Sequence, residues 1–104
     1  MKYEFHPDAR NEYLASVAYY ESREIGLGAR FTIEIEETIQ RIVAAPALWR
    51  KIEGEIRRCL ARRFPYGVLY SVEADRVLIL AVMHHSRTPE YWHSRLSSAK
   101  LGRA

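Results

Sequence analysis

Two strand-like runs, Tyr66 to Glu73 and Arg76 to about His85, are separated in this chain by only Ala74-Asp75. A connection of two residues leaves room for one arrangement, an antiparallel hairpin, and the rest of the fold must accommodate it. Within the second run, Val77 to Met83 is continuous in Val, Leu, Ile, Ala and Met, as a buried strand requires. It runs directly into His84, His85, Arg87, Tyr91 and Trp92. Polar and aromatic groups at the exit of a rigid strand sit where a small protein holds a site.

The remaining elements follow from periodicity. Lys2 to His6 alternates, with Tyr3 and Phe5 on one side, and Pro7 ends it: a short strand. From Asp8 to about Ile25, Ala9, Tyr13, Val17 and Tyr20 recur at helical spacing, with Asp8 as the expected N-cap. Gly26-Leu27-Gly28 breaks this helix. A second helix is expected from about Ala29 to Ala44, with Phe31, Ile35, Ile39, Ile42 and Val43 on one stripe, until Pro46 ends it. Ile33 departs from the stripe: it lies about 160° from Ile35, on the face of Glu34, Glu37 and Gln40. Either it packs against the first helix or it is exposed for a partner; single exposed apolar residues are common, so packing or accident is the preferred reading.

After the loop Pro46 to Trp49, the first of three strands is Ile56 to Arg62. Its alternation is imperfect: Ile56, Arg58, Leu60 and Arg62 share one face, Arg57, Cys59, Ala61 and Arg63 the other, and either face could be the inner one. Thr88-Pro89 reads as a final helix start, Thr88 as N-cap and Pro89 at the first helical position. The expected order is β-α-α-β-β-β-α, one domain over residues 1–96 with 97–104 as a flexible tail.

Composition removes several classes of function. With 48% hydrophobic and 28% charged residues, the 104-residue chain has the balance of a soluble globular domain. The longest apolar run is far too short to span a bilayer and the first residues contain no signal-peptide core, so a cytoplasmic protein without membrane partners is expected. Cys59 is the single cysteine, which fits a reducing compartment and reads as a small buried residue. His84 and His85 are neighbours on a strand, so they point to opposite faces; with no CxxC and only His6 and His93 besides, no metal is expected. No phosphate loop, dinucleotide fingerprint or nucleophile elbow is present, and no cofactor is expected.

Charge is unevenly distributed. Residues 1–44 carry a balance of −3 and residues 45–104 one of +6, of which Arg50 to Arg63 alone contributes +4. Paired arginines, Arg57-Arg58 and Arg62-Arg63, concentrate it, and such a patch favours a polyanion or an acidic protein. Tyr13, Tyr19, Tyr20, Tyr66 and Tyr70 are read as packing between helices and sheet.

Four local patterns, taken together with this order, resemble the RelE/ParE family of toxins from type II toxin-antitoxin systems. They are Phe5-x-Pro7-x-Ala9; Tyr19-Tyr20-Glu21 before Gly26-Leu27-Gly28-x-Arg30-Phe31; Ile56-Arg57-Arg58 leading to Arg62-Arg63-Phe64-Pro65-Tyr66; and Val77 to His84 followed by Arg87-x-Pro89-x-Tyr91-Trp92. The resemblance implies an α+β fold, a small antiparallel sheet packed against an N-terminal helical hairpin. It also implies a growth-arresting toxin neutralised by a cognate antitoxin, here expected to be acidic.

The target divides that family. RelE-like members cut messenger RNA on the ribosome without a metal, which requires a base for the 2′-hydroxyl, cations for the phosphorane and an acid for the leaving oxygen. On that reading Arg58 and Arg87 hold the phosphate, His84 or Glu53 is the base, and Tyr91 stacks on a nucleobase or donates a proton. ParE-like members bind DNA gyrase, which calls for surface complementarity rather than an acid and a base. The lysine set of many RelE-like nucleases is reduced here to Lys51, and the arginine-rich middle resembles the ParE branch. Residues expected to touch target or antitoxin are Arg57, Arg58, Arg62, Arg63, Arg87 and Trp92. A non-toxic binding module derived from this family is the third possibility.

Overall fold

The hairpin forms as expected and becomes the middle of a five-stranded sheet. A computed structural model of the protein describes residues 1–96; the tail expected at 97–104 lies outside them. The elements are β1 (Lys2–Phe5), α1 (Pro7–Arg23), α2 (Leu27–Ala44), β2 (Arg50–Glu53), β3 (Ile56–Leu60), β4 (Tyr66–Val72), β5 (Arg76–His84) and a closing 3-10 helix (Pro89–Arg95). Strand order is β1-β5-β4-β3-β2. β1 lies parallel to β5 and the other pairs are antiparallel, so the sheet is mixed.

β2 is an addition to the expected order. Three of its four residues are charged and it alternates poorly, so nothing apolar betrays it; Gly54, at φ +54°, turns it back onto β3. The final helix is a 3-10 segment, with Thr88 and Pro89 in the expected places but no side-chain cap. The N-cap of α1 is His6, not Asp8. Pro7 needs no N–H partner at the first helical position, so the helix starts one residue early and His6 Nδ1 accepts from the Asp8 N–H at 3.1 Å.

β5 carries a bulge. Leu69 faces Ala81 and Tyr70 faces Ile79, leaving Leu80 as an extra residue. Leu80 and Ala81 therefore share one face, and the alternation beyond them is reversed. Val82 packs with the helix-side core and the His84 ring meets Tyr66 there at 5.4 Å, while Met83 turns to the other side.

The helical hairpin covers one face of the sheet. Gly26, at φ +88°, makes its turn, and Gly28 lets the helices close: a Cβ there would stand 2.8 Å from the Val17 carbonyl oxygen. The Glu21 carboxylate caps α2 by accepting from the N–H groups of Gly26 and Gly28, which moves the start of the helix up to Leu27. Phe31, Ile35, Ile39 and Ile42 are fully buried against Cys59, Val68, Tyr70, Val77 and Ile79. Each such side chain contributes about 1.5–3 kcal/mol relative to exposure. Phe31 also meets Tyr13, Tyr20, Phe64 and Tyr66 at centroid distances of 4.8 to 6.1 Å. Burial, with the Glu36 carboxylate beside it, pushes the Tyr13 hydroxyl up to about 12. Burial likewise raises Tyr20 and Tyr70 to about 12, and the Tyr70 hydroxyl donates to the Pro46 carbonyl at 2.6 Å.

One residue on the polar side of α2 behaves unlike its neighbours. Ile33 is 59% exposed, whereas Glu34 is buried. Its carboxylate accepts from the backbone N–H groups of Arg63 and Phe64, anchoring the β3–β4 loop to α2. Burial alone would raise the Glu34 carboxyl, but the loop N–H groups outweigh it and hold the acid below its ordinary value.

Candidate functional site

The opposite face of the sheet is covered, among the described residues, only by the closing 3-10 helix, which lays Trp92 on it. Its smaller core is Ile56, Leu69, Leu80, Ala81 and Trp92, with Ile52 and Met83 half-buried at the margin. A groove of about 340 Å³ lies over this face, bounded by β2, β3, β4 and the exit of β5. Arg58, His84, Arg87 and Trp92, from the sequence candidates, all line it.

Each is placed by local structure. Arg58 pairs with Leu69 across the β3–β4 ladder and so points to the open face. Its stem lies across Gly67, where a Cβ would come within 3.2 Å of Arg58 Cδ; the missing side chain makes room for it. His84 ends β5, and Ser86 holds its Nδ1, through the backbone N–H at 3.0 Å and the hydroxyl at 2.8 Å. Because Nδ1 accepts from that N–H, the neutral ring carries its proton on Nε2. Arg87 stands in the exposed turn after β5, its guanidinium 5.5 Å from the Tyr91 ring centre. Trp92 is completely buried at the base of the groove, and its indole N–H has no acceptor among the described residues. Neither Arg58 nor Arg87 has a carboxylate partner among the described residues. Glu53, on the β2 wall, is engaged by His93 Nε2 at 3.0 Å.

Tyr91 belongs to an adjoining cleft. This second space, about 290 Å³, opens between α1 and the 3-10 helix and shares Met83, His84 and Arg87 with the groove. The Tyr91 hydroxyl donates to Glu12. Arg95 grips the same carboxylate at 2.8 and 3.2 Å, with its side chain 9% and that of Glu12 19% exposed. The pair also closes the edge of β5 beyond β1, since Glu12 accepts from the Val82 N–H at 2.9 Å and Arg95 donates to the Leu80 carbonyl at 2.9 Å. Two side chains thus serve where a neighbouring strand is missing, and they lock the 3-10 helix beside the bulge. Sequence reasoning missed Glu12 and Arg95: they lie 83 positions apart, and no local pattern links them.

The arginine pairs do not form one surface. Strand alternation sends Arg57 to the helix side, where it donates to the Trp49 carbonyl at 2.7 Å, while Arg58 faces the groove. Arg62 and Arg63 are exposed in the β3–β4 loop, and Arg63 borders a separate hollow with Leu27, Ile33 and Phe64. Among the described residues no group of three or more His, Cys, Asp or Glu side chains converges as a metal site.

The groove alone is compatible with several partners; comparison with known proteins narrows them. Residues 3–89 match the family described as the ParE toxin of type II toxin-antitoxin system, parDE. The chain belongs to the ParE toxin family. Among solved structures it is similar to one from the chromosomal ParDE TA system from P. aeruginosa, with a TM-score of 0.68 and 19% identity over 81% of this chain and 95% of that one. At that identity the likeness speaks for the fold, and the ParE family match carries the toxin assignment. No curated protein matches the chain. No helix among the described residues is long and apolar enough to cross a membrane.

Proposed function

We propose that this ParE-family toxin arrests growth in the cytoplasm by binding DNA gyrase, and that an acidic antitoxin neutralises it. The observation that carries binding over cleavage is the commitment of the acid and base candidates elsewhere: the Tyr91 hydroxyl to Glu12, Glu53 to His93, and the Nδ1 of His84 to the Ser86 N–H. What remains in the groove is two cationic guanidinium groups, beside the His84 and His85 rings, over an apolar floor, a surface suited to gripping an acidic partner. The antitoxin has a fitting surface of its own. An amphipathic acidic segment would lay apolar side chains on Leu27 and Ile33 and its carboxylates on Arg63.

The decisive experiment pairs purified gyrase with transcript mapping. Supercoiling inhibited by the toxin, with transcript ends unchanged after induction, is the expected result. Unaffected supercoiling at high toxin excess would overturn the gyrase reading, and new transcript ends lost in Arg87→Ala would replace it with RNA cleavage. Normal growth on strong expression without antitoxin would reduce the chain to a non-toxic binding module.

A further inference from the structure

The two edges of the sheet are finished differently. β2 forms one: three of its four residues are charged, and a bulge at Ile52 breaks its register with β3. Charge and bulges keep an edge strand from taking a further neighbour. β1 forms the other edge, with β5 as its one sheet neighbour among the described residues and a register unbroken from Lys2 to Phe5. Its bonding directions follow from the junction with α1. The His6 N–H donates to the Ile79 carbonyl at 2.8 Å, so even-numbered residues turn their backbone groups toward β5, and Met1, Tyr3 and Phe5 turn theirs outward. Side chains alternate in the same way. Tyr3 and Phe5 pack against the helix-side core, with Met1 on their side and 59% exposed. Lys2 and Glu4 stand exposed on the groove side, where Glu4 pairs with Arg76.

We propose that β1 pairs antiparallel with β1 of a second copy of this chain, joining two five-stranded sheets into one dimer. Only odd-numbered residues offer outward bonding groups, so Tyr3 can stand opposite Met1, Tyr3 or Phe5 of the copy. The first choice sets Lys2 against Lys2 and the last sets Glu4 against Glu4. Tyr3 against Tyr3 instead sets Lys2 opposite Glu4 twice, at the narrow non-hydrogen-bonded positions where cross-strand side chains come closest. That register also lays the exposed Met1 against Phe5 of the copy and forms about six backbone hydrogen bonds. The strand sequence is thus complementary to itself in charge, which is what a two-fold contact requires. The axis stands perpendicular to the sheet, so both helical hairpins lie on one side and both grooves on the other. A dimer of this kind presents two grooves to a two-fold partner. The inference concerns self-association and stands whatever the toxin's target.

The test is sedimentation velocity of the purified chain from low to high micromolar concentration, the range expected of a small interface. A monomer–dimer equilibrium that weakens with added salt is the expected result. Lys2→Glu puts two carboxylates at each pair and should raise the dissociation constant about tenfold. Adding Glu4→Lys to it reverses the order of charges and should recover most of the dimer. Arg50→Glu, on the β2 edge, should change nothing. Oxidation of Tyr3→Cys should yield a disulfide-linked dimer, because the opposed Cα atoms stand about 5.5 Å apart, whereas Glu4→Cys, opposite Lys2, should not. Native Cys59 is buried and adds no background. Lys2 is exposed, so its variant keeps the test open if Tyr3→Cys does not fold. A monomer at every concentration, a dimer indifferent to Lys2→Glu, loss of the dimer in Arg50→Glu, or cross-linking through Glu4→Cys alone would overturn the proposal.

Discussion

The two faces of one sheet are built from the same strands and serve opposite ends. On the helix side, alternate residues Cys59, Val68, Tyr70, Val77 and Ile79 disappear under α1 and α2, and the Tyr70 hydroxyl finds a carbonyl. On the other side their neighbours Arg58, Leu69 and Met83 border a groove, and the Trp92 N–H finds no acceptor among the described residues. Period-two alternation places fold and groove one residue apart, so Arg57 becomes a structural donor and Arg58 a cation without a carboxylate partner among the described residues. A face that is satisfied throughout stabilises; a face with unpaired donors is left for a partner.

That contrast can be broken from either side, and the largest effect is expected on the covered face. Phe31→Ala removes the ring at the centre of the aromatic cluster and should cost about 3–5 kcal/mol in denaturant unfolding, near the whole stability of a small domain. A loss below about 1 kcal/mol would mean that the helix-side core is not what holds the sheet.

Glu34→Gln sharpens the comparison at the margin of the covered face, with an expected cost of about 1–3 kcal/mol at neutral pH from the weakened anchoring of the β3–β4 loop. The Glu34 carboxyl is held below its ordinary value of 4.5. A depressed carboxyl contributes stability that is full above the unfolded value and disappears as pH falls through the folded one. The native chain should therefore lose this contribution progressively below about pH 4.5, and the Gln variant should show a flatter acid limb. Parallel acid limbs in the two proteins would show that Glu34 carries no such contribution.

Both hairpins were legible in the sequence because their signals are local. Ala74-Asp75 admits only a tight turn, and Gly26-Leu27-Gly28 interrupts two helical stripes. What escaped was non-local or unpatterned. β2 has one apolar residue among charges and is a strand only because β3 lies beside it. β3 carries arginines on both faces, so its inner side became readable only once Cys59 was seen under α2. The bulge at Leu80 reverses the facing of His84, which no count of alternation along β5 would anticipate. Of the candidate site, Arg58, His84, Arg87 and Trp92 come together as the residue types at the strand exits suggested, whereas Tyr91 is drawn into the clamp with Glu12 and Arg95. Buried acids such as Glu34 look like surface residues in sequence, because the backbone donors that neutralise them lie some 30 positions away.

The central claim is that the open face acts and the covered face only supports it. Arg58→Ala combined with Arg87→Ala tests this directly, measured as growth after induction at matched soluble protein levels. Two partly or fully exposed cations without a carboxylate partner among the described residues should cost no more than about 0.5 kcal/mol each in stability. The account predicts a folded protein, with native-like denaturant unfolding, that no longer arrests growth. Growth arrest as strong as that of the unaltered chain would contradict it.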